Sequence, residues 1–239
     1  MRPRALLLAL AAWALAAPAA GAGGVRVEVR VEGPDATLIE RPVRVDAGLV
    51  DGNDGTGPHR CSAPVGGPAR PSAFGALDAA AAREGVTWRG DWMPAFQDFF
   101  LARIGPWETD VEAGAYWTIL RNEHIVGGGC NTAVHAGDRV VFAYGYLWRP
   151  YVLRLRGPTR ARRNRSFTVR VRAESLDAAA DPWSHPLPGA RVGRARTNRK
   201  GKARIVLRRG GERRLKARHP DAIPSNAITV CVRAGRRRC

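Results

Sequence analysis

The chain has 239 residues, of which 45% are hydrophobic and 25% charged, and its formal net charge is +18 at pH 7. Beyond the N-terminal segment, no stretch is long and apolar enough to span a bilayer, which excludes a protein with internal membrane-spanning helices. The length predicts two domains of ordinary size rather than one.

The positive charge is concentrated in the second part of the chain. Residues 1–144 carry 13 Lys and Arg against 16 Asp and Glu, whereas residues 145–239 carry 26 against 5. This asymmetry indicates an anionic partner, which could be nucleic acid, a teichoic or uronic polymer, or a membrane surface. A GC-rich genome is the alternative explanation, because nearly all of the basic residues are arginine. That bias explains why Arg is used in place of Lys, but it does not explain the excess of basic over acidic residues in the second part of the chain.

The N-terminus has the pattern of a secretory signal peptide. Arg2 and Arg4 precede an apolar run over residues 5–17, and Ala20-Gly21-Ala22 offers a small-residue cleavage site. Residues 1–22 are therefore predicted to be a signal peptide, and an uncleaved N-terminal anchor is the alternative. Cleavage near Ala22 predicts a secreted, extracellular or cell-surface-associated protein.

The first predicted elements are two strands and a helix. Residues 25–31 (VRVEVRV) alternate strictly, which predicts a strand with valines on one face and a solvated polar face on the other. A second strand over residues 37–45 is interrupted by Pro42, which favours an edge strand or a bulge. Residues 46–72 are rich in Gly and Pro and are predicted to be a long irregular loop. Ser72 and Gly85 are suitable caps for a helix over residues 73–84.

The following segment predicts four further strands, one of which is short. Trp88 and Trp92 lie in a short aromatic link, and residues 99–104 (FFLARI) read as a strand. Residues 116–144 (YWTILRNEHIVGGGCNTAVHAGDRVVFAY) predict strand, tight turn, short strand, glycine loop with a cysteine, Gly-Asp turn and strand.

This order of motifs resembles the transcobalamin-like C-terminal domain of cobalamin carriers and secreted bacterial proteins. The resemblance covers the GPDATLIE turn, ALDAAA on the helix, FFLARIG and the closing YW…N…GD…F.Y block. It implies an α+β class, with a β-grasp domain over residues 23–156 in which a mixed sheet packs on one helix. The family hairpin usually carries Asn-Gly, whereas this turn is Asn122-Glu123. The family also implies binding of cobalamin or another small ligand, which is the less favoured prediction because the helical barrel of the carriers is absent.

Residues 157–166 are predicted to be a basic linker, followed by a second domain over residues 167–239. Residues 167–172 (FTVRVR) alternate as a strand, and short strands separated by Gly, Pro and Asn turns follow. The progression P-G-A-x-V…T…G-x-A…L resembles the Ig-like or carboxypeptidase-regulatory-like sandwiches of secreted bacterial proteins. It implies a small all-β sandwich.

Four cysteines in an exported chain favour disulfides, and three connectivities are possible. Proximity in sequence and in the predicted domains favours Cys61–Cys130 and Cys231–Cys239. No C-x-x-C pair supports a metal site.

No catalytic constellation is present, so the chain is predicted not to be an enzyme and to need no metal or cofactor. It lacks a G-x-S-x-G motif, and its five histidines are scattered in predicted loops and turns. Residues 51–55 (DGNDG) resemble the start of a calcium loop, but Ser62 stands where an EF-hand needs Glu, so an acidic turn is favoured.

The aromatic residues are the remaining candidates for a ligand or partner surface, because exposed rings can stack on a sugar, a corrin or another protein. They are Tyr116, Trp117, Tyr146, Trp148 and Tyr151. The sequence thus predicts an exported, non-catalytic binding or scaffold protein with an unidentified ligand or cell-envelope partner. The alternative is a cell-envelope adhesion protein that binds an anionic polymer through its Arg-rich C-terminal half.

Overall fold

The computed structural model of the protein describes residues 24–146, 149–177 and 183–233. Among the described residues, strands account for 51% and helix for 6%, and their one helix is short. The predicted α+β class is therefore wrong, and the protein is mostly β. The reason is that stretches predicted to be loop or link also form strands, so the share of helix stays small. The predicted signal peptide over residues 1–22 lies outside the described residues.

The first half of the protein (residues 24–146) contains one helix and ten strands among its described residues. In chain order they are β1 (Val25–Glu32), β2 (Thr37–Val45), β3 (Leu49–Asp51), β4 (Pro58–Arg60), α1 (Ala73–Glu84), β5 (Trp88–Met93), β6 (Asp98–Ile104), β7 (Trp107–Glu108), β8 (Trp117–Arg121), β9 (His124–Ile125) and β10 (Arg139–Tyr144). Five of the strands form a mixed sheet in the order β2-β1-β10-β8-β9, in which β1 is parallel to β10 and antiparallel to β2. As predicted at Pro42, β2 is an edge strand.

Helix α1 packs on this sheet and has the predicted ends. Ser72 Oγ accepts a hydrogen bond from the Gly75 backbone N–H at 3.0 Å, and Gly85 closes the helix in the left-handed conformation with φ of 65°. Phe74 and Leu77 on the helix share a core with the valines of β1. Each fully buried side chain of this size contributes roughly 1.5–3 kcal/mol of hydrophobic stabilisation.

Two predictions about the first half need correction. The Gly- and Pro-rich segment over residues 46–72 contains the paired strands β3 and β4. The aromatic link is strand β5, which pairs with β6, and β5, β6 and β7 form a three-stranded sheet separate from the mixed sheet. Trp88 is buried because β5 turns that side toward the core.

The second half (residues 149–233) has no helix in its described part. Its strands are β11 (Tyr151–Arg156), β12 (Arg160–Arg162), β13 (Ser166–Ser175), β14 (Ser184–Pro186), β15 (Arg191–Val192), β16 (Ala195–Arg196), β17 (Lys202–Val206), β18 (Gly211–Leu215), β19 (Ala217–Arg218), β20 (Ala222–Ile223) and β21 (Ile228–Arg233). They form a sheet in the order β14-β13-β11-β20, with β17 also paired to β13, and two three-stranded sheets, β12-β21-β18 and β16-β15-β19. Strand β11 lies in the predicted first domain, and β12 in the predicted linker, but both pair with strands of the second half.

The halves meet on the face of the mixed sheet that is opposite α1. Val141 and Leu120 from the first half share a small apolar cluster with Val152 and Ile223 from the second. Lys216 of the second half donates hydrogen bonds to Glu32 and to Thr37 Oγ1. The polar face of β1, predicted to be solvated, is therefore covered at Arg30 and Glu32, which are 7% and 0% exposed.

Candidate functional site: a basic sheet face

The alternation of β13 decides which of its side chains face solvent. Val169 and Val171 lie in the core of the second half, so Arg170 and Arg172 between and after them point outward. Strand β11 behaves in the same way, because Leu155 is buried in that core and Arg156 beside it is exposed. Strand β17 adds Arg204 between the buried Ala203 and Ile205.

Strand register brings these cations side by side. Arg156 pairs with Arg170 across β11 and β13, and Arg170 pairs with Lys202 across β13 and β17. Directly paired residues of antiparallel strands project on the same side of the sheet with their Cβ atoms about 5 Å apart. These three residues therefore form a row across three strands, which we call the cation row.

Three more cations flank the cation row on the same side of the sheet. Arg154 pairs with Arg172 in the next row, and Arg204 stands opposite Thr168 on the other side. We call the six residues the basic face. They are Arg154, Arg156, Arg170, Arg172, Lys202 and Arg204.

The members of the basic face differ in what they bind. Arg154 forms an ion pair with Glu174 at 3.6 Å. Arg172 donates from Nε to Ser184 Oγ at 2.8 Å, and Arg204 donates to Ser166 Oγ at 2.9 Å.

Among the described residues, no acidic side chain pairs with the cation row. The ion pairs of the described chain involve other cations, and no side-chain hydrogen bond holds the three head groups. Two unit charges about 5–6 Å apart in water repel by a little under 1 kcal/mol, and physiological salt screens part of this repulsion. An anion lying over the row would be attracted by all three cations and would offset their mutual repulsion.

Composition indicated an anionic partner, but it did not single out these positions. The alternation in FTVRVR and in LRLR was the available signal, because it places arginines on one side of each strand. The alternation did not specify which residues of neighbouring strands pair with each other. Register alone places Arg156, Arg170 and Lys202 in one row.

The aromatic residues predicted to form a ligand surface have separate neighbours. Trp117 and Tyr146 are 9% and 8% exposed, and Trp117 packs on Tyr144 with ring centroids 5.2 Å apart. Tyr151 makes an edge contact with His185, with centroids 5.0 Å apart.

Tyr116 and Tyr146 each donate a hydroxyl hydrogen bond within the first half. Tyr116 donates to the Val111 carbonyl at 3.3 Å and Tyr146 to the Gly33 carbonyl at 3.4 Å. Trp148 lies outside the described residues.

The predicted disulfide Cys61–Cys130 is confirmed. Asp98 positions the cysteine loop by accepting hydrogen bonds from the backbone N–H of Cys130 at 2.9 Å and of Asn131 at 3.0 Å. A side chain at Gly129 would meet the Phe74 ring at 2.4 Å, so this glycine permits close packing of the loop on α1. The second predicted pair, Cys231–Cys239, includes a residue outside the described part of the chain.

The carboxylates of the acidic turn over residues 51–55 accept hydrogen bonds from backbone N–H groups. Asp54 accepts hydrogen bonds from Thr56 N–H at 2.9 Å and from Trp92 N–H at 2.7 Å. Partial burial raises the pKa of Asp54, but the hydrogen bonds from Thr56 and Trp92 outweigh it and lower the pKa from 3.8 to about 2. The described residues contain no cluster of three or more potential metal ligands.

Among the described residues, no helix has the length and apolar character needed to cross a bilayer. No protein family, curated protein or solved structure matches this chain.

Proposed function

We propose that the protein is an exported, non-catalytic binding protein that holds an anionic polymer on its basic face. The observation that carries the proposal is the cation row, in which Arg156, Arg170 and Lys202 lie side by side without acidic partners among the described residues. Adjacent cations with no internal counter-charge attract a polyanion and release its condensed counterions when it binds.

An anionic polysaccharide fits this face better than a nucleic acid does. Proteins that hold single strands without sequence preference combine cations with aromatic side chains on which bases stack. The outward residues of β11, β13 and β17 that flank the cation row are Arg, Thr, Ser and Val. Phe167, the aromatic residue of β13, packs against the core. The face therefore offers charge without a stacking platform.

Export is supported by the Cys61–Cys130 disulfide, because structural disulfides persist mainly in oxidising compartments. An exported protein meets the acidic polysaccharides of cell envelopes, and a cytosolic one meets nucleic acids. The chemistry of the face and the expected compartment therefore favour the same class of polymer.

The test is binding of polygalacturonate at several salt concentrations, with single-stranded DNA as the competing polymer. The variant replaces the cation row (Arg156→Gln, Arg170→Gln, Lys202→Gln). The matched control removes three exposed arginines elsewhere in the second half (Arg163→Gln, Arg165→Gln, Arg194→Gln). We expect the row variant to reduce the slope of log affinity against log salt by roughly 3, about one for each lost contact, while the control keeps most of the affinity.

Two outcomes would contradict the proposal. Equal losses in the two variants would show that only net charge matters. Stronger binding of DNA than of the polyuronate at the same salt concentration would assign the face to nucleic acid.

A further inference from the structure

A cleft of about 460 Å³ lies between the two halves, on the covered face of the mixed sheet. This volume is in the range of small-molecule sites. Residues of β1, β2 and β10 form one wall, and residues of β11, β18 and the segment before β21 form the other. Those that bear on its chemistry are Glu28, Arg30, Glu40, Arg139, Arg154 and Arg214.

Most charges along the cleft are already paired. Arg139 binds Glu123 through both carboxylate oxygens, which raises the pKa of Arg139. Arg154 pairs with Glu174. These two arginines therefore have a carboxylate partner each and leave little for a ligand.

The Glu40 carboxylate accepts hydrogen bonds from three groups. It accepts hydrogen bonds from Arg214 at 2.8 Å, from Lys216 at 3.1 Å and from the backbone N–H of Ala227. Burial raises the pKa of Glu40, but Lys216, the Ala227 N–H and the charge of Arg30 outweigh it, so the pKa is lowered and the group stays charged.

Arg30 is the exception among the buried cations of the cleft. Arg30 is only 7% exposed, and its Nε has no hydrogen-bond partner among the described residues. Its described ion pair is a single contact from Nε to Glu32 Oε1 at 3.3 Å. A buried guanidinium with unused N–H donors is costly unless something accepts from them.

The buried charges around Arg30 are balanced, because Arg30 and Lys216 face Glu32 and Glu40. Burial lowers the pKa of Lys216, and the charge of Arg30 lowers it further, so these two cations repel each other. Arg214, which also contacts Glu40, has a side chain that is 59% exposed. Glu28, a lining carboxylate without an ion pair among the described residues, is also exposed.

We propose that the cleft binds a small ligand through one carboxylate group, which accepts a two-pronged hydrogen bond from Arg30. A planar carboxylate matches the fork of a guanidinium, and it would accept hydrogen bonds from the N–H donors that Arg30 leaves unused at the cleft wall. A small organic acid and the C-terminus of a short peptide share this chemistry. This site contains no residue of the cation row, and it does not depend on the function proposed for the basic face.

The experiment titrates the unaltered protein with matched acid and amide pairs, followed by calorimetry or ligand-observed NMR. The pairs are benzoate with benzamide, and the tripeptide Gly-Gly-Phe with its C-terminal amide. We expect one acid to bind and its amide to bind at least tenfold more weakly, and the acid that binds identifies the source of the carboxylate. Equal binding of an acid and its amide, or no binding of either acid at millimolar concentration, overturns the proposal.

Variants then assign the site. Arg30→Gln should weaken binding of the acid roughly 10- to 100-fold, the worth of a charge-assisted hydrogen bond. Arg30→Lys keeps the charge but loses the fork, so it should bind with intermediate affinity. The cation-row variant should bind the acid normally. If it loses the acid while Arg30→Gln does not, the acid binds the basic face and the cleft proposal fails. If Arg30→Gln does not fold, the acid and amide comparison on the unaltered protein still decides.

Discussion

Strands β1 and β13 have the same pattern of alternating valine and arginine, but their arginines have opposite surroundings. In β1, Arg30 lies under the second half of the protein and is 7% exposed. In β13, Arg170 lies on the open surface between two other cations. The comparison shows that alternation fixes the inner face of a strand, whereas tertiary contacts decide whether its polar face meets solvent, another part of the chain or a ligand.

The largest expected effect concerns the half that contains β1. The disulfide Cys61–Cys130 closes a loop of 69 residues in sequence. Replacing both cysteines by alanine should lower the free energy of unfolding by about 4 kcal/mol, chiefly through the entropy of the unfolded chain. Denaturant titration with separate probes for each half measures this. A loss below about 1 kcal/mol would contradict the account.

The next prediction tests the contact that covers β1. Lys216→Met removes one of the two cations that contact Glu32, which is 0% exposed, and also removes a cation from Glu40. It should destabilise the protein by about 3 kcal/mol because two buried carboxylates lose a shared counter-charge. Lys200→Met is the control, since Lys200 is exposed, and it should change stability by less than about 0.5 kcal/mol. Similar effects of the two variants would mean that the second half does not bury Glu32 in solution.

A smaller effect of opposite sign is expected in β13. Arg170→Thr removes the central charge of the cation row and places a good strand former there, so it should raise the free energy of unfolding by about 0.5 kcal/mol at low salt. The gain should shrink in about 0.5 M salt, where the repulsion is screened. Stability measured at the two salt concentrations checks this. A loss of stability that salt does not change would show that Arg170 has a stabilising contact.

The smallest expected effect is a change in pH dependence. The pKa of Asp54 is about 2 in the folded protein and 3.8 ordinarily, so its contribution to stability is present above about pH 4 and is lost as pH falls toward 2. Asp54→Asn should therefore reduce the slope of stability against pH between 4 and 2. Denaturation at a series of pH values measures this slope, and an unchanged slope would contradict the hydrogen bonding described for the turn.

Local patterns in the sequence predicted the parts of the fold that depend on neighbours in the chain. Ser72 and Gly85 located both ends of α1, and Pro42 indicated an edge strand, because caps and missing N–H groups act locally. Strand β5 was missed because its tryptophans looked like a link, and its partner β6 lies beyond an intervening turn.

The candidate sites depend on contacts that are distant in the chain. The Cys61–Cys130 pair was predictable because four cysteines allow only three connectivities. The cation row required the register of three strands, and the cover over Arg30 required the docking of two halves, and neither is encoded in a local pattern. The split in charge could indicate an anionic partner, but it could not identify which arginines lack an internal acid.

Binding of an anionic polysaccharide to the cation row can be located by hydrogen exchange. Amide hydrogen exchange of the unaltered protein should be compared with and without polygalacturonate. We expect protection to rise in β11, β13 and β17, where Arg156, Arg170 and Lys202 lie. Protection confined to the first half or to the turn over residues 163–165 would contradict it.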